Sequence, residues 1–132
     1  MAPERGRVTG IGGVFLKAED PPALLAWYRK ALGIETGETS YTTFEWRDAK
    51  DPERVGSTTW SLFEADTDYF GPEDQRAMVN YRVDDLDAAL ERLRDAGADV
   101  DERIEEYEYG RFGWASDPEG NRFELWEPPT GR

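Results

Sequence analysis

Apolar and polar residues recur along the chain at two periods, and the switches between them divide it into elements. Two stretches repeat at the helical period. In the first, Leu24, Leu25, Tyr28, Ala31 and Leu32 share one face; Asp20 can cap it, Pro21 suits its first turn, and Gly33 stops it. In the second, Leu86, Ala89, Leu90 and Leu93 make the apolar stripe, Asp84 or Asp85 can cap it, and Gly97 ends it. Glu91, Arg92, Arg94 and Asp95 take its exposed side. Around these helices, runs rich in β-branched and aromatic residues predict strands at about 8–17, 39–46, 58–63, 76–83, 100–106, 112–116 and 122–126. The order is strand, helix, strands, given twice. The polar stretch 64–75, which holds Gly71 and Pro72, is expected to connect the halves.

The halves also match each other residue by residue. Residues 13–20 (GVFLKAED) correspond to 78–85 (MVNYRVDD), each ending in an Asp ahead of an amphipathic helix, and 60–64 (WSLFE) correspond to 123–127 (FELWE). Agreement in order, spacing and element type favours duplication over coincidence. Alternation then assigns the faces. Val14, Leu16, Trp60, Leu62, Val79, Tyr81, Val83, Phe123 and Leu125 form an apolar parity expected to pack beneath the helices. The opposite parity carries Gly13, Phe15, Lys17, Thr59, Ser61, Phe63, Met78, Asn80, Arg82, Arg122, Glu124 and Trp126. Aromatics mixed with a few polar groups suit a ligand pocket. A partly wet sheet surface with salt bridges would give the same pattern.

Composition narrows the chemistry. A chain of 132 residues fits one domain, so the organisation is sub-domain: a module at about 8–64, a linker at about 65–75 and a second module at about 76–128. With neither Cys nor His, thiolate or imidazole chemistry is excluded, and carboxylate, Tyr and Lys remain for acid–base work. A formal charge of -13 disfavours nucleic acid and anionic membrane as partners. The charges lie in mixed-sign stretches, which fits a solvated surface; a cationic ligand or a salty cytoplasm would fit too. No apolar run is long enough to span a bilayer and the opening residues lack a signal core, so a soluble cytoplasmic protein is expected.

The ordered set of motifs resembles the vicinal oxygen chelate superfamily, which includes glyoxalases, extradiol dioxygenases and bleomycin-resistance proteins. The resemblance rests on Asp20 leading into 25–28 (LAWY) and 32–33 (LG), on 83–87 (VDDLD) with 96–97 (AG), and on 117–121 (DPEGN) followed by 123–126 (FELW). It implies an α+β fold of two tandem βαβββ modules that form a cup-shaped mixed sheet with helices on the outer face. It also implies a divalent metal on the cup floor, held from four strands. Those positions fall on Gly13, Ser61, Met78 and Glu124, and one carboxylate beside a glycine, a hydroxyl and a thioether is a poor set for such an ion. No tight metal and no other cofactor are therefore expected. A homodimer is implied by the resemblance alone.

The resemblance puts Glu124 inside the cup among apolar neighbours, where burial would raise its pKa and suit it to act as a general base or to anchor a ligand. An ion pair with Arg122 or Arg82 is the structural alternative. Trp46, Phe63, Trp114 and Trp126 are candidate walls for a flat ligand. Phe15, Ser61, Met78 and Asn80 complete the candidate surface, and Arg82, Arg122 and Lys17 can hold an anionic group. The stretch 107–111 (YEYGR) reads either as a loop over the cup mouth or as an ordinary hairpin turn, with Tyr109 a weak base at neutral pH. The expected function is metal-free binding of an aromatic or amphipathic small molecule. The alternatives are a lyase, isomerase or dioxygenase-type enzyme using Glu124, and a protein-interaction module, for which no large apolar patch is visible.

Overall fold

The computed structural model describes residues 5–129; residues 1–4, part of the opening stretch read for a signal core, and residues 130–132 lie outside them. Both helices begin at an aspartate. Asp20 accepts a hydrogen bond from the Ala23 N–H ahead of α1 (Pro21–Leu32), and Asp85 accepts one from Ala88 ahead of α2 (Leu86–Asp95). Asp84 is used differently: its Oδ1 takes the N–H groups of Gly6 and Arg7 and ties down the chain just before the first strand. Gly33 closes α1 in the left-handed region (φ 72°), as a C-terminal glycine does.

The strands are β1 (Val8–Ala18), β2 (Tyr41–Arg47), β3 (Val55–Glu64), β4 (Ala77–Val83), β5 (Asp99–Val100), β6 (Glu105–Tyr107), β7 (Gly110–Ser116) and β8 (Arg122–Glu127). They form one mixed sheet in the order β2-β3-β1-β4-β8-β7-β5, with β6 also on β7. β1 and β4 meet antiparallel at the centre, each with a parallel partner beyond it, β3 beside β1 and β8 beside β4. The architecture is α+β, a cup-shaped sheet with the helices outside. The strand expected at 100–106 is broken into β5 and β6: the Asp101 N–H still donates to the Trp114 carbonyl, and residues 102–104, two charged and one an exposed isoleucine, form no strand. In the first half, residues 33–40 form no strand: this stretch is polar, holds Gly37 at φ 65°, and has no apolar alternation to bury. The stretch 107–111 is a hairpin turn, Tyr107 pairing with Gly110. At 117–121, Asp117 accepts from the backbone of Glu119 and Asn121, and Gly120 takes positive φ.

Two buried clusters lie on opposite faces of the sheet. Val83, Leu86, Ala89, Leu90 and Leu125 pack between α2 and the second half, with Tyr81, Leu93, Val100 and Phe123 around them. The other cluster, Phe70, Met78 and Trp114 with Phe15, Phe63, Tyr69 and Phe112, fills part of the concave face, which the sequence had left free for a ligand. Its cause is the connecting segment, which lays Tyr69 and Phe70 across the sheet. The apolar stripe of α1 is less covered than expected. No residue of α1 is buried; Leu24, Leu25 and Tyr28 are half-buried, while Ala31 and Leu32 are exposed. Tyr28 meets Trp60 edge-on at 4.9 Å. Among the described residues no helix is long and apolar enough to cross a membrane.

Candidate functional site

Registry brings the inward-facing residues into rungs. Gly13 lies between Thr59 and Asn80, and Asn80 is followed by Glu124 and then Trp114; the adjacent rung runs Ser61, Phe15, Met78. Glu124 is only 2% exposed and takes three donors. Asn80 Nδ2 donates to its Oε1 at 2.6 Å, Trp114 Nε1 donates to Oε2 at 3.0 Å, and the Tyr69 hydroxyl donates to the same oxygen. Burial pushes the carboxyl above its usual range, and these donors hold it partly back. Burial, and then the Glu124 charge, push the Tyr69 hydroxyl up as well. Neither Arg82 nor Arg122 pairs with Glu124. Arg122 binds Asp101 at 3.0 Å and lies over Trp114, and Lys17 donates to the Glu73 carbonyl and sits over the Phe70 ring.

The segment 65–75 is thus latched at several points. Phe70 is fully buried against Phe63, Tyr69 stacks on Phe63 at 5.6 Å, and the Gln75 side chain both donates to and accepts from the Arg122 backbone. Reading the stretch as polar missed this role; its two adjacent aromatics were the available signal. Of the candidate residues, Phe15, Phe63, Met78 and Trp114 belong to this filled region, with Ser61, Asn80 and Glu124 buried beside it.

The open part of the concave side lies elsewhere. A cavity of about 660 Å³ sits between the connection of β2 to β3 and the end of β8, bordered by Arg54, Val55, Ser57, Arg82 and Trp126, with Glu45, Asp51 and Glu53 at its exposed rim. Below Gly13 and Thr59, β1 and β3 cease to pair, and the Trp46 indole fills the gap. Its seat requires glycine. A Cβ on Gly10 would lie 2.5 Å from the ring, and one on Gly56 2.4 Å. Trp46 Nε1 donates to Thr58 Oγ1, whose hydroxyl donates in turn to the Ile11 carbonyl. The Arg82 guanidinium lies over both Trp46 and Trp126, at 5.8 and 5.6 Å from the ring centroids. Arg82 is 6% exposed, yet among the described residues its side chain makes no hydrogen bond or ion pair. Burial and then the Arg54 charge push its pKa down, with Asp48 opposing. The structure therefore brings Trp46, Arg82 and Trp126 together, Arg82 and Trp126 bordering the open cavity and Trp46 a small recess beside it, and places Glu124 in the filled region. Tyr109 stays at the surface on its turn, where its carbonyl accepts from Trp126 Nε1.

The residues at the implied metal positions do not fit a divalent ion. A Cβ on Gly13 would lie 2.8 Å from the Phe15 ring, Met78 is buried among aromatics, and both oxygens of Glu124 are engaged by donors. Among the described residues no three Asp or Glu side chains converge.

The model of the glyoxalase-like domain matches residues 13–126. Solved structures share the fold. Streptomyces coelicolor methylmalonyl-CoA epimerase in complex with 2-nitronate-propionyl-CoA is 19% identical, covers 94% of this chain and 100% of its own, and has a TM-score of 0.67. Mycobacterium tuberculosis methylmalonyl-CoA epimerase is 21% identical over 97% of this chain and 93% of its own, with a TM-score of 0.55. A Legionella pneumophila structure described as an NAD-dependent benzaldehyde dehydrogenase is 13% identical over 88% and 97%, also at 0.55. No curated protein matches the sequence. With most of its length matched by the family model, the chain belongs to the glyoxalase-like domain family of the vicinal oxygen chelate superfamily.

Proposed function

We propose that this chain is a small-molecule-binding protein, active in the cytoplasm, that encloses an aromatic or amphipathic ligand over its concave face without a tightly bound metal. The observation that carries this reading is the division of that face. Around Glu124 it is filled by Tyr69 and Phe70, while toward β2 and β3 it opens into a cavity of about 660 Å³ with an indole wall. That volume suits a ligand of drug size, and a half-buried indole offers a flat apolar surface at little entropic cost. The fold's occurrence in proteins whose complexes hold acyl-CoA compounds supports a small organic ligand, though at 19% identity it does not carry their substrate over.

The test is tryptophan fluorescence and melting temperature against a library of aromatic metabolites. Saturable binding that is lost in Trp126→Ala supports the reading, and binding unaffected by that substitution refutes the site. A homodimer belongs to the same proposal. It is supported by the exposed Trp27 and Leu32 of α1, and light scattering on the purified protein tests it.

An enzymatic reading, with Glu124 as the base of a lyase or isomerase, is favoured by the raised carboxyl pKa. It requires Tyr69 to leave the carboxylate before any substrate reaches it.

A further inference from the structure

Arg82 is the one candidate residue whose own bonding is left incomplete beside open space. A guanidinium has five N–H donors and no acceptor, and an indole is a donor only, so Trp46 and Trp126 can stabilise its charge without taking any of its hydrogens. Among the described residues nothing else takes them. The side chain borders both the cavity of about 660 Å³ and a small recess lined by Thr9, Trp46, Asp48, Arg54 and Gly56. A buried cation is expensive unless paired, and a pair formed at such depth is little screened by salt.

We infer that the cavity takes a ligand with an oxyanionic head, a carboxylate or a phosphate, held by the Arg82 guanidinium between Trp46 and Trp126 with the ligand's flat body against Trp126. This rests on the proposed binding function and adds the charge class of the ligand. Long-range charge opposes it, since the chain carries -13 and Glu45, Asp51 and Glu53 stand at the rim. Those three carboxylates are exposed and screened, whereas Arg82 is buried, so contact at depth outweighs repulsion at the mouth. The same rim disfavours a second negative charge at the ligand's outer end.

The experiment compares naphthalene-2-carboxylate with naphthalene-2-carboxamide by calorimetry on the wild-type protein, with 2-naphthyl phosphate as a further arm. The carboxylate or the phosphate is expected to bind roughly tenfold or more tightly than the amide, the range of a charge-assisted hydrogen bond; which of them binds better tells which oxyanion the site prefers. In Arg82→Gln the preference for the anions over the amide disappears. Equal affinity of amide and anions in the wild type overturns the charge inference and leaves the binding site standing. Absence of binding by all three probes overturns both. A preference that persists in Arg82→Gln also overturns the inference. Should that variant not fold, the wild-type comparison decides, with Arg82→Lys expected to keep part of the preference.

Discussion

The hydroxyl of Tyr69 donates to Oε2 of Glu124, joining the segment between the halves to strand β8 across the concave face. The contact links a stretch with no regular structure to the most buried carboxylate in the cup, and it decides which part of the cup is open.

Tyr69→Phe removes one of three donors from a buried acceptor while keeping the ring that stacks on Phe63. The variant is expected to lose about 1.5–3 kcal/mol of stability, the range for a hydrogen bond to a charged group. It should also raise the Glu124 pKa further, since Tyr69 is first among the donors that hold it down. Urea unfolding at neutral pH measures the first effect, and a carbon-detected titration of the Glu124 carboxyl measures the second. An unchanged unfolding midpoint would show that the contact is not made in solution.

The raised pKa of Glu124 has a sign in the stability curve. Between its unfolded and folded pKa the folded chain binds more protons, so this group's stabilisation is fully present below the unfolded value and is lost as pH rises through the folded one. Asp87 is held low by its hydrogen bonds to Arg111, and Asp117 by Asn121; both act oppositely, but they are common to wild type and Glu124→Gln and cancel in the comparison. The stability of wild type relative to Glu124→Gln should therefore fall as pH is raised from about 4, the unfolded carboxyl range, toward neutrality. Denaturant melts of both proteins across that range check it, and a difference that rises with pH is the contrary result.

Phe70 and Leu32 test where the core lies. Phe70 is fully buried in the segment between the halves, whereas Leu32 is 66% exposed at the end of a helix stripe. Phe70→Ala should cost about 3–5 kcal/mol, and Leu32→Ala no more than about 0.5 kcal/mol in the monomer. Reversed magnitudes in urea unfolding would mean that segment 65–75 does not pack on the sheet.

Much of the framework was legible because its signals are local. Asp20, Pro21 and Gly33 bracket α1, Asp85 and Gly97 bracket α2, and alternation from Met78 to Val83 marks β4, although the side buried throughout is that of Met78, Asn80 and Arg82, while Val79 and Tyr81 on the apolar parity are half-buried. What the sequence hid depends on contacts made at a distance. Tyr69 and Phe70 sit among Asp, Glu, Gly and Pro, so composition marked a connection; their burial follows only once the segment crosses the cup. The stripe of α1 predicted a packed helix, but little of the chain lies against it. At the site, parity placed Arg82 and Trp126 on one face. It could not show that Trp46 would reach them through the gap where β1 and β3 part, because the divergence of the strands is set by the whole sheet; Gly10 and Gly56, which make room for the indole, were the signal on offer.

Gly56→Ala tests that arrangement. Its new methyl group would lie 2.4 Å from the Trp46 ring, which must move off its seat and away from Arg82. The expected cost is about 1–3 kcal/mol from overpacking, with loss of any ligand that uses the cavity. A variant of wild-type stability and affinity would place Trp46 elsewhere.

Metal addition separates the binding and enzymatic readings. A divalent ion at Glu124 would have to displace the protons donated by Tyr69, Asn80 and Trp114 from a carboxylate that is 2% exposed, and the neighbouring Gly13, Ser61 and Met78 supply little to replace them. Nickel, zinc or manganese added to chelator-treated protein should therefore leave the melting temperature within about 1 °C, since an ion that binds the folded state weakly adds little to its stability, and hemithioacetal isomerisation should stay at the uncatalysed rate. A stoichiometric metal on elemental analysis, or metal-dependent turnover lost in Glu124→Gln, would require Tyr69 and Phe70 to swing out of the cup and would make the chain an enzyme. Stabilisation by an aromatic compound with no response to metal fits the filled floor and the open cavity at Arg82.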